Sequence, residues 1–286
     1  MEERIDLHAH STWSDGTRDV AELFADARAA GLDVLALTDH DTVAGWAELP
    51  GAVAASGVAA VPGIEVSAEH EQLSVHVLAL LVDPGPGTEL AGEMARACAS
   101  RDRRARTMVD RLAADHPISW EGVQEQVADP TTVIGRPHIA DALVAAGVVP
   151  DRSSAFAELL SPSGPYYVRY EAPTPVDAVR LILAAGGVPV IAHPGSVSRE
   201  GMLPVELLEE MITAGLAGIE VGHREHEPDE RRRLAELARS HDLLVTGGSD
   251  YHGTGKPNRL GENLTQPDVL AAITHRATST TEVIRP

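Results

Sequence analysis

The sequence has one cysteine, Cys98, in 286 residues, and no apolar run that approaches a membrane span. A single cysteine cannot form a disulfide within the chain, so a disulfide framework is excluded and no redox role is indicated. A membrane-spanning helix needs roughly 18 apolar residues, and the N-terminus lacks a basic leader followed by an apolar segment. We therefore expect a cytoplasmic protein without a membrane anchor.

Aromatic residues and positive charges are also scarce. Aromatics make up 3% of the chain against 43% for all hydrophobic residues, so the core must consist mainly of Ala, Val, Leu and Ile. Such a core suits helices packed on parallel strands. The 43 acidic and 23 basic residues give a formal charge of −20, which disfavours long duplex nucleic acid as a partner. Small phosphorylated molecules remain possible partners, and the oligomeric state stays open.

Short apolar runs alternate with helical patterns along most of the chain. The predicted strands are 4–8, 34–38, 58–65, 74–82, 188–192, 218–221 and 243–246. Predicted helices cover 19–30, 43–56, 175–185 and 204–214, and a further helix ends at residue 240. The third and fourth strands have no helix between them. This alternation predicts parallel βα units, and the chain length allows one barrel.

Residues 88–165 interrupt the alternation. They follow the turn-forming sequence PGPG at 84–87 and contain several helix-like stretches without a convincing strand. We therefore predict two domains. Residues 1–87 and 166–286 form a metal-binding barrel, and residues 88–165 form a helical insertion that acts as a lid over the substrate.

Histidine and acidic residues lie at or just after the ends of most predicted strands. They are His8, His10, His40, Glu65, His193, Asp250 and His252, and His76 lies within the fourth strand. The carboxyl ends of parallel barrel strands open on one face, where active sites of such barrels lie. Imidazole nitrogen and carboxylate oxygen suit Zn, Fe and Mn, and a carboxylate can bridge two ions. The sequence thus predicts a centre of divalent cations.

The motifs at these positions resemble those of the PHP superfamily, the polymerase and histidinol phosphatase domains. They are DLHAHS at 6–11, TDHD at 38–41, PGIE at 62–65, VHVLAL at 75–80, AHPG at 192–195 and GSDYHG at 248–253. The resemblance covers almost the whole chain. It implies an α/β fold, a distorted seven-stranded (β/α)7 barrel of PHP type with the helical insertion, and two or three divalent metal ions (Mn, Fe or Zn).

The resemblance also implies how the ligands are shared among three ions. The first set is His8, His10, Glu65 and Asp250; the second is Glu65 as a bridge, His76 and His193; the third is Asp15, His40 and His252. Many members of the family carry a histidine at the position of Asp15. The aspartate resembles the branch that includes small nucleotide phosphoesterases.

That branch implies a metal-dependent phosphoesterase acting on a small nucleotide. The expected reaction is removal of the 3′-phosphate of a nucleoside 3′,5′-bisphosphate by a hydroxide that bridges the ions. Related members act as cyclic phosphodiesterases or as 5′-3′ exonucleases on short oligonucleotides. Histidinol phosphatase, an amidohydrolase reaction on a C–N bond and a non-catalytic metal-binding module remain as alternatives.

Five further residues are candidates for catalysis or phosphate binding. His223, after the sixth predicted strand, is the candidate general acid for the leaving oxygen. Arg136 and His138, in GRPH at the start of a predicted helix, are candidate phosphate contacts. Lys256 and Arg259, shortly after His252, form a weaker pair of phosphate contacts.

Overall fold

The computed structural model describes residues 3–71, 73–127, 129, 132–169, 171–196 and 203–286. Within these ranges seven strands form one sheet in sequence order. They are β1 (Ile5–Asp6), β2 (Val34–Leu37), β3 (Ala59–His70), β4 (Leu73–Leu80), β5 (Val188–Ile191), β6 (Gly218–Gly222) and β7 (Leu244–Gly247). Beyond β7 the chain returns to β1, where Ala9 and Tyr251 form a parallel bridge. The sheet is therefore a nearly closed seven-stranded barrel, as the sequence predicted.

The direction of β4 corrects the expectation of purely parallel strands. β4 is antiparallel to both β3 and β5, whereas the other neighbouring pairs are parallel. The cause is the short connection between His70 and Leu73, because a tight turn can join only antiparallel neighbours. As a result the start of β4 lies at the same end of the barrel as the carboxyl ends of its parallel neighbours. His76 reaches that end for this reason.

The helices in the described ranges are α1 (Val20–Ala29), α2 (Leu49–Ser56), α3 (Glu89–Ala113), α4 (Trp120–Gln124), α5 (Arg136–Ala145), α6 (Arg152–Glu158), α7 (Pro175–Ala184), α8 (Val205–Thr213), α9 (Pro228–Ser240) and α10 (Pro267–Arg276). The predicted helix 43–56 is in fact a 3-10 helix, Ala44–Glu48, followed by α2. Pro50 lies in the first turn of α2, where its missing amide hydrogen costs nothing. The sequence analysis did not predict α10.

Helix α3 connects two separate apolar cores. Leu90 and Met94, near its start, pack with barrel residues of β3 to β6. Met108 and Leu112, near its end, pack instead with α4 to α6 in a cluster that includes Ile139. Residues 88–165, which we call the helical segment, contain no strand among the residues described there. Across the described ranges, the model has no helix that is both long and apolar enough to cross a membrane.

Candidate metal centre

Nine buried or nearly buried side chains converge at one end of the barrel. They are His8, His10, Asp15, His40, Glu65, His76, His193, Asp250 and His252. Glu65 lies in the middle of β3 and His76 near the start of the antiparallel β4, and the other seven lie in the loops that follow strands. The fold thus brings together all nine side chains that the sequence analysis named as candidate ligands.

Glu65, in β3, is the centre of this cluster, and its two carboxylate oxygens face different sides. Oε1 lies 2.6 Å from Nδ1 of His76 and 2.9 Å from Nε2 of His193. Oε2 lies 3.0 to 3.3 Å from one nitrogen each of His10, His8 and His40. A carboxylate with ligating groups on both oxygens has the geometry required to bridge two cations.

Within 4.8 Å of one another, the ligating atoms form three groups. The groups are His8, His10, Glu65 and Asp250; His10, Asp15, His40 and His252; and His40, Glu65 and His76. The first group has the membership expected from the resemblance, and the second adds His10 to the expected set. The third has His40 where His193 was expected, although His193 still contacts Oε1 of Glu65.

The donors themselves fit divalent cations. Four of the converging atoms have no hydrogen-bond partner although they are buried: His40 Nδ1, Glu65 Oε2, Asp250 Oδ1 and His252 Nε2. Burying such atoms unpaired is costly, so native proteins rarely do so without a ligand. Imidazole nitrogens and carboxylate oxygens together suit Zn, Mn and Fe. The cluster is therefore suited to bind divalent metal ions.

Without metal, charges within the cluster stabilise one another. Burial opposes ionisation of Glu65, but the charges of His76, His40 and His8 hold its pKa well below the usual range. Burial also opposes protonation of His10, yet the nearby carboxylates of Asp250 and Glu65 raise its pKa to about 9. Because a ligating imidazole must be unprotonated, metal binding has to displace this proton.

The two histidines beside Asp15 have lowered pKa values, in contrast to His10. Burial lowers the pKa of His252 and holds that of His40 well below its ordinary value. Asp15 stays ionised despite its burial because His252 and His40 lower its pKa. Its Oδ1 lies 3.1 Å from Nε2 of His252. Around Asp15, burial therefore favours the neutral imidazole, the form that binds metals.

Two of the converging residues have backbone conformations that are unusual for non-glycine residues. The φ angles of His193 and Asp250 are 33° and 52°. Such left-handed conformations cost free energy and persist where surrounding contacts impose them. For Asp250 one such contact is its amide, which donates to the carbonyl of His8 at 2.9 Å.

Two buried carboxylates around the cluster were missed by the sequence analysis. Asp39 accepts hydrogen bonds from the amide and hydroxyl of Ser11 and from the hydroxyl of Ser14, which orders the loop between His10 and Asp15. Glu220 faces the cluster from β6. A signal for Glu220 was present, because GIE at 218–220 repeats the GIE at 63–65 that contains Glu65.

The candidate residues that follow β6 and β7 lie at different distances from the centre. Lys256 lies beside the centre, with its ammonium 2.8 Å from Oδ2 of Asp250. Nε2 of His223 lies 3.6 Å from the same oxygen. Arg259 is not brought to the cluster, since its side chain is 79% exposed and pairs with Glu262.

In the helical segment, Arg136 and His138 occupy different environments. The guanidinium of Arg136 lies over the ring of Phe156 and donates to the carbonyl of Leu160. Together with Arg101 and Arg104 it lines a small cavity. His138 instead accepts the amide of Gly135 and hydrogen-bonds the backbone of Ser14, so both ring nitrogens serve the backbone.

Two other arginines of the helical segment reach the barrel loops, and the sequence analysis did not single them out. Nε of Arg101 lies 3.0 Å from Oδ2 of Asp41, next to His40. Arg152 is held by Asp141 at 2.5 Å and packs so closely on Gly255 that a Cβ there would meet its guanidinium. An arginine in an amphipathic helix gives no sequence signal of such a role.

Comparison with known proteins gives consistent matches. The family model of the PHP domain matches residues 6–116. A 3′,5′-nucleoside bisphosphate phosphatase of Chromobacterium violaceum is 37% identical over 89% of each chain. A 5′-3′ exoribonuclease of Haemophilus influenzae is 33% identical over 96% of this chain and 98% of its own. A solved structure from Bifidobacterium adolescentis, described as a metal-dependent phosphoesterase, is 45% identical with a TM-score of 0.93, covering 97% of this chain and 98% of its own.

Proposed function

This chain belongs to the PHP domain family and is a metal-dependent phosphoesterase, and from that premise we propose that it removes the 3′-phosphate of nucleoside 3′,5′-bisphosphates. The observation that carries the reaction class is the cluster around Glu65, whose two oxygens face separate sets of histidines. The substrate follows the Chromobacterium violaceum relative, which is similar over most of both chains.

For the ions we propose three positions. The first is held by His8, His10, Glu65 and Asp250, the second by Glu65, His76 and His193, and the third by Asp15, His40 and His252. Mn, Fe or Zn at these positions would lower the pKa of a bound water and offset the charge of the phosphoryl oxygens. The protein contributes ligands that are buried and in contact with one another.

We propose that Lys256 binds a phosphoryl oxygen at the edge of the centre. Its ammonium already neutralises Oδ2 of Asp250, and it is partly exposed, so a phosphate can approach it. A charged donor of this kind contributes about 1.5 to 3 kcal/mol per hydrogen bond. The exposed Arg259 is less suited to this role than the sequence analysis expected.

His223 is our candidate for the group that faces the leaving oxygen. Its Nδ1 accepts the amide of Glu225 at 3.2 Å, so the proton of the neutral ring lies on Nε2. Nε2 is buried, has no hydrogen-bond partner and points toward Asp250. We therefore propose that Nε2 of His223 donates a hydrogen bond to the leaving oxygen, the position expected of the general acid.

The helical segment, residues 88–165, is proposed to be a lid that selects the substrate. It is attached to the loop that carries His10 and Asp15, since the hydroxyl of Thr132 donates to the carbonyl of Thr12 at 3.0 Å. The cavity lined by Arg101, Arg104 and Arg136 offers three cationic groups for the second phosphate of a bisphosphate. His138 acts by holding the loop around Ser14 in place.

A second candidate is a 5′-3′ exonuclease on short oligonucleotides. It is favoured by the Haemophilus influenzae relative, which matches nearly the full length of both chains. The same cavity would then receive the terminal phosphate of an oligonucleotide, and the metal centre would cleave the next phosphodiester.

The test is a substrate panel for the metal-loaded enzyme. It contains adenosine 3′,5′-bisphosphate, AMP, a cyclic nucleotide, histidinol phosphate and a 5′-phosphorylated dinucleotide. We expect the highest kcat/KM for the bisphosphate. The dinucleotide as the best substrate would favour the exonuclease, and preference for histidinol phosphate would refute the proposal.

A further inference from the structure

We propose that Glu220 is a positioning residue that holds two metal ligands through one carboxylate. It lies in β6 and is fully buried. Its Oε1 accepts a hydrogen bond from Nδ1 of His8 at 3.0 Å, and its Oε2 accepts the amide of His193 at 2.8 Å. The inference rests on the proposed metal centre and concerns a residue outside the three ion groups.

The contact with His8 determines which ring nitrogen faces the ions. When Nδ1 donates to Glu220, the unprotonated nitrogen is Nε2, which lies 3.2 Å from Oε2 of Glu65 and 3.5 Å from Oδ1 of Asp250. A carboxylate on the outer nitrogen of a ligating histidine fixes the ring and increases its basicity. Two other candidate ligands have neutral partners at this ring position: Nδ1 of His10 meets the hydroxyl of Ser14, and Nδ1 of His252 meets the carbonyl of Asp250.

The contact with His193 acts on the backbone. His193 has a φ angle of 33°, a conformation that must be imposed by its surroundings. The hydrogen bond from its amide to Glu220 is one such constraint and places the imidazole beside Oε1 of Glu65. Glu220 therefore connects ligands of the first and second proposed ions.

The absence of a side chain at Gly248 leaves the space that the Glu220 carboxylate occupies. A Cβ on Gly248 would lie 2.5 Å from Oε1 of Glu220 and 2.4 Å from Cβ of His8. Glycine is thus required at 248 for the two side chains to meet.

The substitution Glu220→Gln removes the charge and one acceptor oxygen but keeps the size of the side chain. Glu220 accepts hydrogen bonds from two donors, whereas an amide has one acceptor oxygen and one donor nitrogen. In Glu220→Gln the amide NH2 must face either His8 or the amide of His193. The first choice moves the His8 proton to Nε2, where it competes with the ion, and the second sets two donors against each other.

The experiment compares wild type, Glu220→Gln and the matched control Thr246→Val. Thr246 pairs with Glu220 across β6 and β7 and is equally buried, but is not among the candidate ligands. Manganese affinity is measured by competition with a chromophoric chelator, metal content by elemental analysis, and Tm by circular dichroism with and without saturating Mn²⁺. For Glu220→Gln we expect an affinity loss of about 10- to 100-fold, with Tm and kcat restored at saturating metal. The control should stay within about twofold.

Two results would overturn the proposal. One is a Glu220→Gln protein that binds Mn²⁺ as tightly as wild type. The other is a Tm deficit that persists at saturating metal, because the residue would then serve only the fold. Both readouts are independent of the substrate, so an absence of phosphatase activity in the wild type would refute the proposed function without deciding this inference.

Discussion

The barrel centre and the helical segment hold their charged groups in opposite ways. In the barrel, Glu65 and the histidines around it are buried and contact one another. In the helical segment, Arg136 is bound by an aromatic ring and a backbone carbonyl, and Arg152 by one aspartate. The first arrangement gathers imidazoles around one carboxylate, and the second holds separate guanidinium groups against single partners. We therefore propose that the barrel supplies the chemistry and that the helical segment sets the substrate preference.

The strongest test of the barrel half is Glu65→Gln. Loss of the bridging charge should remove at least one ion and lower kcat/KM by about a thousandfold or more, which corresponds to several kcal/mol. Activity and metal content are measured together. The control is Glu69→Gln on the same strand, where Glu69 pairs with Arg169 at 3.4 Å; it should retain near-normal activity. Full metal content in Glu65→Gln would contradict the central position assigned to Glu65.

Metal affinity should depend on pH in the barrel centre. His10 is protonated below its metal-free pKa of about 9, so an ion that binds it must displace that proton. One displaced proton lowers affinity about tenfold for each pH unit below that value, or roughly 100-fold between pH 8 and pH 6. Calorimetry in buffers of different ionisation enthalpy counts the released protons. Affinity that does not change over this range would contradict the assignment of His10 as a ligand.

Lys256→Met tests the contact between the loop after β7 and the metal centre. Removing the ammonium next to Asp250 should lower kcat/KM by about 10- to 100-fold, the effect of one charged hydrogen bond. Arg259→Met is the matched control, because Arg259 belongs to the same loop but is exposed and pairs with Glu262. It should change kcat/KM less than about twofold. Equal effects of both substitutions would refute the distinction that the structure makes between them.

The smallest effect is expected for Arg136→Met in the helical segment. We expect KM for adenosine 3′,5′-bisphosphate to rise about three- to tenfold while kcat changes little, because a phosphate contact distant from the reacting bond contributes mainly uniform binding. KM for adenosine 3′-monophosphate should stay constant. A fall in kcat for both substrates would instead place Arg136 in the catalytic machinery.

The positions of the strands and of the candidate ligands could be predicted from the sequence because they depend on local patterns. Short apolar runs predicted the seven strands, and each motif at a strand end is a few residues long. The direction of β4 was not predicted, although the missing helix between β3 and β4 was noticed. Asp39 was missed because a residue that supports a ligand has no spacing rule of its own, and Glu220 was missed although the repeated GIE was a signal for it.

What the sequence by itself determined is the chemistry of the donors: histidines and carboxylates at successive strand ends, in a chain with many acidic and few aromatic residues. What only the tertiary structure decided is which atoms meet. It places Lys256 against Asp250 but leaves Arg259 in solvent, and it joins Glu220 to His8 across 212 positions of the chain. The physical reason is that residue type and periodicity are local properties, whereas barrel closure brings distant strands together.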